Sequence, residues 1–212
     1  MASLADRISS FFSGNDSHTD EGLRDLFITE LKSVYYAEKR SVDALDDLIE
    51  ASTTNEVKNA FIHHQDVSRT QIERLEEIFR IISIETEERS SDAIDGLISD
   101  AKLSINDTEQ GSLTRDAALI IAAQKIEHYE IAIYGSLLTL ANVLNFSQSA
   151  ELLVQTLDEE KATDHALTIL AKSFVNSQSK EEEDHHPGSH HATRHPIHSS
   201  DSDVTLGGPL GI

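Results

Sequence analysis

What most restricts the fold of this chain is the recurrence of apolar side chains at three- and four-residue steps through four long stretches, with no convincing strand-like alternation between them. In the first stretch Phe27, Leu31, Val34, Val42, Leu45 and Ile49 fall on one side of a helix expected from Glu21 to about Ala51, with Asp20 as its cap. Glu38 stands in the same row. Val57, Phe61, Leu75, Ile78 and Ile82 mark a second helix that restarts at Thr53 or Thr54, and His64 and Gln71 interrupt its inner face. The alanine-rich run from Thr114 to about Leu144 is the third. Leu153, Thr156, Glu160, Leu167 and Leu170 line a fourth, which Ser147 or Ser149 would cap and which ends near Phe174.

Helices of about 30 residues would each extend about 45 Å, at about 1.5 Å per residue. Short breaks follow the first and third helices, so each is expected to pack antiparallel against its successor. A long connection, with a shorter helix between about Ser90 and Ile105, separates the second from the third. This wiring predicts an all-α fold, a ferritin-like antiparallel four-helix bundle with an extra short helix in the long connection. The expected division is an N-terminal arm over 1–20, the bundle over 21–176 and a disordered C-terminal tail over 177–212. That tail holds all three prolines and has too little apolar content to pack.

Composition narrows the chemistry. A formal charge of -21 repels DNA phosphates and anionic lipid, which argues against a nucleic-acid or membrane-surface partner. With no cysteine there is no disulfide, thiolate nucleophile or Cys-based zinc or iron–sulfur site. Any metal must therefore be held by carboxylate, imidazole, amide or water. No apolar run approaches the roughly 20 residues that span a bilayer. The stretch from Met1 to Phe12 lacks the cationic start and long apolar segment of a signal peptide, so a cytoplasmic location is expected.

The informative residues are polar ones on the inner faces. Glu38, Glu127 and Glu160 lie on three helices and His64 on the remaining one. An isolated buried carboxylate takes up a proton or costs several kcal/mol, so several converging on one core call for a compensating positive charge. A pair of divalent metal ions supplies it. Three- and four-residue spacing adds Glu130 to Glu127 and Asp164 to Glu160, with Asp66 or Gln71 as further oxygen donors. Tyr35, Tyr36, Tyr129 and Tyr134 flank these positions, placed to hydrogen-bond the ligands or relay electrons. The competing reading is that the acids pair with Lys39, Arg40, Arg69, Lys125 and Lys161, or reach the surface along their own stems.

The run RDAALIIAAQKIEHYEIAIYGSLLTLA, together with LDEEKATD, resembles the YciE/YciF family of ferritin-like, metal-binding stress proteins. Looser matches are LFITELKSVYYAEKRSVDAL and FIHHQDVSRTQIERLEEIF, and the similarity extends from about Leu23 to Ala171. The resemblance implies a homodimer with a carboxylate-rich centre for two Fe ions, or alternatively Mn. Its implied ligands are Glu38, His64, Gln71, Glu127, Glu130, Glu160 and Asp164. The expected activity is of the ferroxidase or peroxide-consuming type in stress defence; the alternative is a non-enzymatic structural or metal-sequestering bundle. Relatives commonly carry an acid where this chain has Val67, which implies weaker or incomplete occupancy by the second ion.

Two appendage features complete the reading. His185, His186, His190, His191, His195 and His198, beside a run of acids, could chelate divalent ions loosely, although such a tract also serves as a solubilising linker. The terminal segment DVTLGGPLGI presents Leu206, Leu210 and Ile212 after a long polar spacer. It resembles the peptides that load ferritin-like cargo into encapsulin shells, which implies a shell or scaffold partner and a place inside a protein nanocompartment; a frayed terminus is the alternative.

Overall fold

The computed structural model describes residues 17–185 of the 212-residue chain. Four long helices carry the architecture: α1 (Ser17–Ala51), α2 (Asn55–Ile81), α4 (Leu113–Val143) and α5 (Ser147–Leu170), with the shorter α3 (Asp92–Asn106) in the connection between α2 and α4. The all-α bundle expected from the spacing is what the described residues form.

Local chemistry sets the helix ends. Thr54 caps α2, its side chain accepting from the Val57 N–H, and Ser112 caps α4 by accepting from the Arg115 N–H. Helices α2 and α4 close alike. Ser83 and Asn145 adopt φ of 58° and 59°, and the amides of Ile84 and Phe146 reach back to the carbonyls of Phe79 and Ala141 at 3.1 and 2.9 Å. The serine cap expected for α5 is absent: Phe146 stands at the cap position without a side-chain hydrogen bond, and Ser149 is buried with its hydroxyl unpaired.

Cross-helix bonds fix the directions. Tyr134 meets Glu38 and Glu130 meets Ser41, so α4 runs antiparallel to α1. Gln71 and Arg74 meet Glu159 and Thr156, so α5 runs antiparallel to α2. Because α2 and α4 then run the same way, the chain must travel the length of the bundle between them. The connection does so along α1: the Arg89 N–H donates to the Lys32 carbonyl at 3.1 Å, and Lys32 and Lys39 pair with Glu87 and Glu88. Helix α3 then seats Ile94, Ile98 and Ala101 in the groove between α1 and α4.

Apolar layers fill both ends of the bundle. One gathers Phe27, Leu31, Leu75, Phe79, Leu137 and Leu153; the other gathers Leu45, Leu48, Val57, Phe61, Leu119 and Leu167. Each such side chain contributes roughly 1.5–3 kcal/mol by leaving water, and truncating one to alanine costs roughly 2–5 kcal/mol. The polar positions lie between these layers.

The folded part extends past the boundary expected at residue 176. After α5 the chain makes one π-helical turn (Ala171–Val175) and continues as α6 (Asn176–His185). The wider turn directs Val175 and Ser179 inward, and the Ser179 and Thr114 hydroxyls lie 3.0 Å apart. Glu182 accepts from the Leu113 N–H at 2.8 Å, placing a carboxylate at the start of α4.

Candidate metal centre

Helical periodicity places the centre. Glu38 stands in the apolar row of α1, His64 in that of α2, and Glu127 and Glu130 share one face of α4 a turn apart. Glu160 completes the set from α5. None of the five is more than 3% exposed, so each helix commits an ionisable group to the core. One ligand atom from each of His64, Glu127, Glu130 and Glu160 lies within 4.8 Å of the other three.

Some of these groups are held by neighbours. The Tyr134 hydroxyl, fully buried, donates to Glu38 Oε1 at 2.6 Å, and Ser41 donates to Glu130 Oε1 at 2.8 Å. The rest are not. Both nitrogens of His64, both oxygens of Glu127 and of Glu160, Glu38 Oε2 and Gln71 Oε1 have no hydrogen-bond partner among the described residues. His64 Nε2 and Glu127 Oε1 do stand 2.8 Å apart, but the contact is not aligned as a hydrogen bond. Two ligands of one cation would show the same proximity without alignment.

Electrostatics follow from this crowding. Burial first, then the charges of Glu130 and Glu160, push the Glu38 carboxyl well above the usual carboxylate range. Glu127 is raised well above it by burial and by Glu130, and Glu160 by burial, Glu130 and Glu127. Glu130 is raised by burial, against the opposing pull of His64 and Ser41. Burial lowers the His64 imidazole, which favours the neutral form that binds metal. The Tyr134 phenol is pushed far up by burial and by Glu38.

The donor set could hold a metal ion. Four carboxylates, Glu38, Glu127, Glu130 and Glu160, together with a neutral imidazole, balance the charge of two divalent ions. Oxygen and nitrogen ligands suit iron or manganese. Among the described residues no lysine or arginine is bonded to any of the four, and the nearby Arg74 is taken by Glu159. Pairing with Lys39, Arg40, Arg69, Lys125 and Lys161, the competing reading, is not what these acids do; those cations meet Glu88, Asp95, Asp66, Asp100 and Asp158.

Two of the residues expected as ligands sit at the margin. Gln71 is buried and its amide donates to Glu159 Oε2 at 3.3 Å, beside Glu160. Asp164 lies outside the four-residue cluster. Its Oδ1 accepts from Gln124 Nε2 at 2.9 Å and stands 3.5 Å from His128 Nε2. Four residues advance about 40° beyond a full helical turn, and at this turn Thr163 and Asp164 are both only half-buried. Ser41 was not singled out from the sequence, although it follows Glu38 by three positions on the same face; Tyr134 was, and it does hydrogen-bond Glu38, one of the expected ligands. The side chain of His185, the other tail histidines from His186 to His198, and Leu206, Leu210 and Ile212 lie outside the described residues. Among the described residues no helix is long and apolar enough to cross a membrane.

Known proteins share this architecture. Residues 22–180 match a family described as a domain of unknown function, DUF892. Over 159 residues the chain is 43% identical to protein YciF of Escherichia coli strain K12, covering 74% of this chain and 95% of YciF. The crystal structure of that E. coli stress protein aligns with a TM-score of 0.69, covering 73% of this chain and 97% of its own. YcfI of Rhodopseudomonas palustris, for which a structural role has been suggested, is 34% identical with a TM-score of 0.67 over 69% of this chain and 92% of its own. A Xanthomonas campestris protein, 15% identical with a TM-score of 0.61 over 76% of this chain and 99% of its own, shares the fold. By the extent of the family match and the identity to YciF, the chain belongs to the DUF892 family, which includes the E. coli stress protein YciF.

Proposed function

We propose that the protein binds two divalent transition-metal ions, iron before manganese, among its four helices, and uses them for ferroxidase or peroxide-consuming chemistry in stress defence. The carrying observation is the set of buried polar atoms on Glu38, His64, Glu127 and Glu160 that no donor or cation among the described residues satisfies. His64, Glu127, Glu130 and Glu160 would hold one ion. Glu38, whose Oε1 is held by Tyr134 and whose Oε2 is unpaired among the described residues, would help to hold a second. Bound iron would supply the reversible one-electron change that carboxylate and imidazole lack. The protein's own part is to hold the ligands still. Tyr134 and Ser41 orient Glu38 and Glu130, and the apolar layers on either side keep bulk water from the carboxylates.

The test is an anaerobic Fe(II) titration of full-length protein purified without a His-affinity step, followed by exposure to oxygen. Stoichiometric binding and oxidation above the buffer rate are expected. Replacing Glu127 and Glu160 together by alanine should abolish both, and whatever binding persists in that variant measures the histidine-rich tail. The structural role suggested for YcfI favours a second reading, a bundle that sequesters metal or only supports an assembly. Binding without oxidation would select it.

A further inference from the structure

Next to the centre, on the side towards the carboxyl end of α1, the bundle contains a small cavity of about 10 Å³. Ser41, Ala44 and Leu48 of α1, His64 of α2, and Ala123 and Ile126 of α4 form its wall, and all six are buried. Sequence spacing puts it there. Ala123 stands one turn before Glu127, and Ser41, Ala44 and Leu48 follow Glu38 along α1, so the two alanines leave room in a layer that is otherwise filled. The polar members of the wall are His64 and Ser41, and the Ser41 hydroxyl hydrogen is already committed to Glu130 at 2.8 Å. A cavity needs roughly 10–15 Å³ to hold a water, and a buried water usually makes about three hydrogen bonds. This one has the size for a single small molecule; His64 is its one unpaired polar side chain, short of the partners a buried water usually finds, and apolar cavities stay dry and take apolar guests.

We propose that the cavity is a binding site for dioxygen, which it holds against Ser41 and against His64, itself one of the proposed metal ligands. The assignment rests on the metal-oxidation reading of the centre and names its oxidant. An apolar diatomic suits the aliphatic wall; hydrogen peroxide, with two hydroxyl groups to satisfy, does not.

Xenon, an apolar probe, tests the site without metal. Metal-free full-length protein should show one bound xenon by NMR in solution and one peak between Ala44 and Ala123 in pressurised crystals. Ala123→Leu should remove that signal and slow Fe(II) oxidation by dioxygen, while leaving oxidation driven by added hydrogen peroxide unchanged. Leu48→Ala, which widens the cavity, should tighten xenon binding and reports on the site even if leucine at position 123 is not accommodated. Absence of xenon from the wild-type protein, unchanged xenon affinity in Leu48→Ala, or equal slowing with both oxidants in Ala123→Leu overturns the site. Xenon binding in a wild-type protein that does not oxidise Fe(II) overturns instead the reading from which the oxidant was named.

Discussion

Asp116 and Glu127 lie three turns apart on α4, both fully buried, and are treated in opposite ways. Asp116 accepts from the Thr53 N–H at 2.7 Å, the Thr54 N–H at 2.9 Å and the Thr54 hydroxyl at 2.6 Å, clasping the turn between α1 and α2. Beside it Arg115 donates to the Ile105 carbonyl at 2.8 Å and to that of Thr108, closing the end of α3. Glu127 has neither oxygen bonded and faces Glu130, Glu160 and His64. A buried carboxylate supplied with donors is solvated by the protein and serves the fold. One surrounded by other acids must take up a proton or be completed by a metal cation. The inventory of donors, and not burial, separates the two roles.

The sharpest way to break this contrast is Asp116→Ala. It strands the Thr53 and Thr54 amides and should cost about 3 kcal/mol, equally with and without metal, in urea unfolding. At the other site the metal should carry the stability. A divalent ion such as Mn(II), at about a hundredfold excess over its dissociation constant, should add about 2.7 kcal/mol to the wild type. Glu127→Gln should lose that gain, while its metal-free form unfolds at no lower urea concentration than wild type because one of the crowded charges is gone.

The gain should also depend on pH. The carboxyls of Glu38, Glu127, Glu130 and Glu160 are raised in the folded protein, so the metal-free fold holds more protons than the unfolded chain. Their contribution is full below the ordinary glutamate value of about 4.3 and is lost as pH rises through the raised values. His64, lowered by burial, works the other way: its contribution is present above its ordinary value of about 6.5 and lost as pH falls. With four acids against one imidazole, metal-free stability should fall as pH rises above the ordinary glutamate value of about 4.3. Metal affinity should rise over the same interval, because fewer protons remain to be displaced. Thermal melts with and without Mn(II) across that range read both.

Smaller effects belong to the groups that orient ligands. Tyr134→Phe frees Glu38 Oε1 and should weaken metal binding about tenfold, seen by calorimetric titration. Lys32→Ala touches neither site; loss of its pairing with Glu87 should change stability by less than about 1 kcal/mol in the same urea assay.

The two carboxylates also show how far sequence reasoning reached. The row Val57, Phe61, His64, Gln71, Leu75 and Ile78 is buried throughout, because one long helix packed on one side keeps its period. Glu38, Glu127 and Glu160 interrupt such rows and were legible for that reason. Asp116 was not: an acid in the first turn of a helix looks like ordinary complement to the helix dipole, and its partner Thr54 is 62 residues away. Leu48 is buried where Ile49 was expected, and Ile49 is only half-buried. Asp164 was misplaced by a similar small rotation, and Gln124 took its oxygen. The helical stretch beyond 176 was hidden by composition. Its polar residues are held by a π-turn that no proline or glycine announces, and by contacts with Thr114 and Leu113 that only the tertiary fold creates.

The antiparallel wiring carries one more implication, for the order of events during folding. His64 comes from α2, Glu127 and Glu130 from α4, Glu160 from α5 and Glu38 from α1, so no hairpin alone assembles the ligand set. A chain that has formed only α1 and α2 owns two of the five groups. On the proposed function, capture of an ion would therefore wait for the last long helix to dock, and a redox-active metal would be withheld from half-made molecules that could not yet shield it.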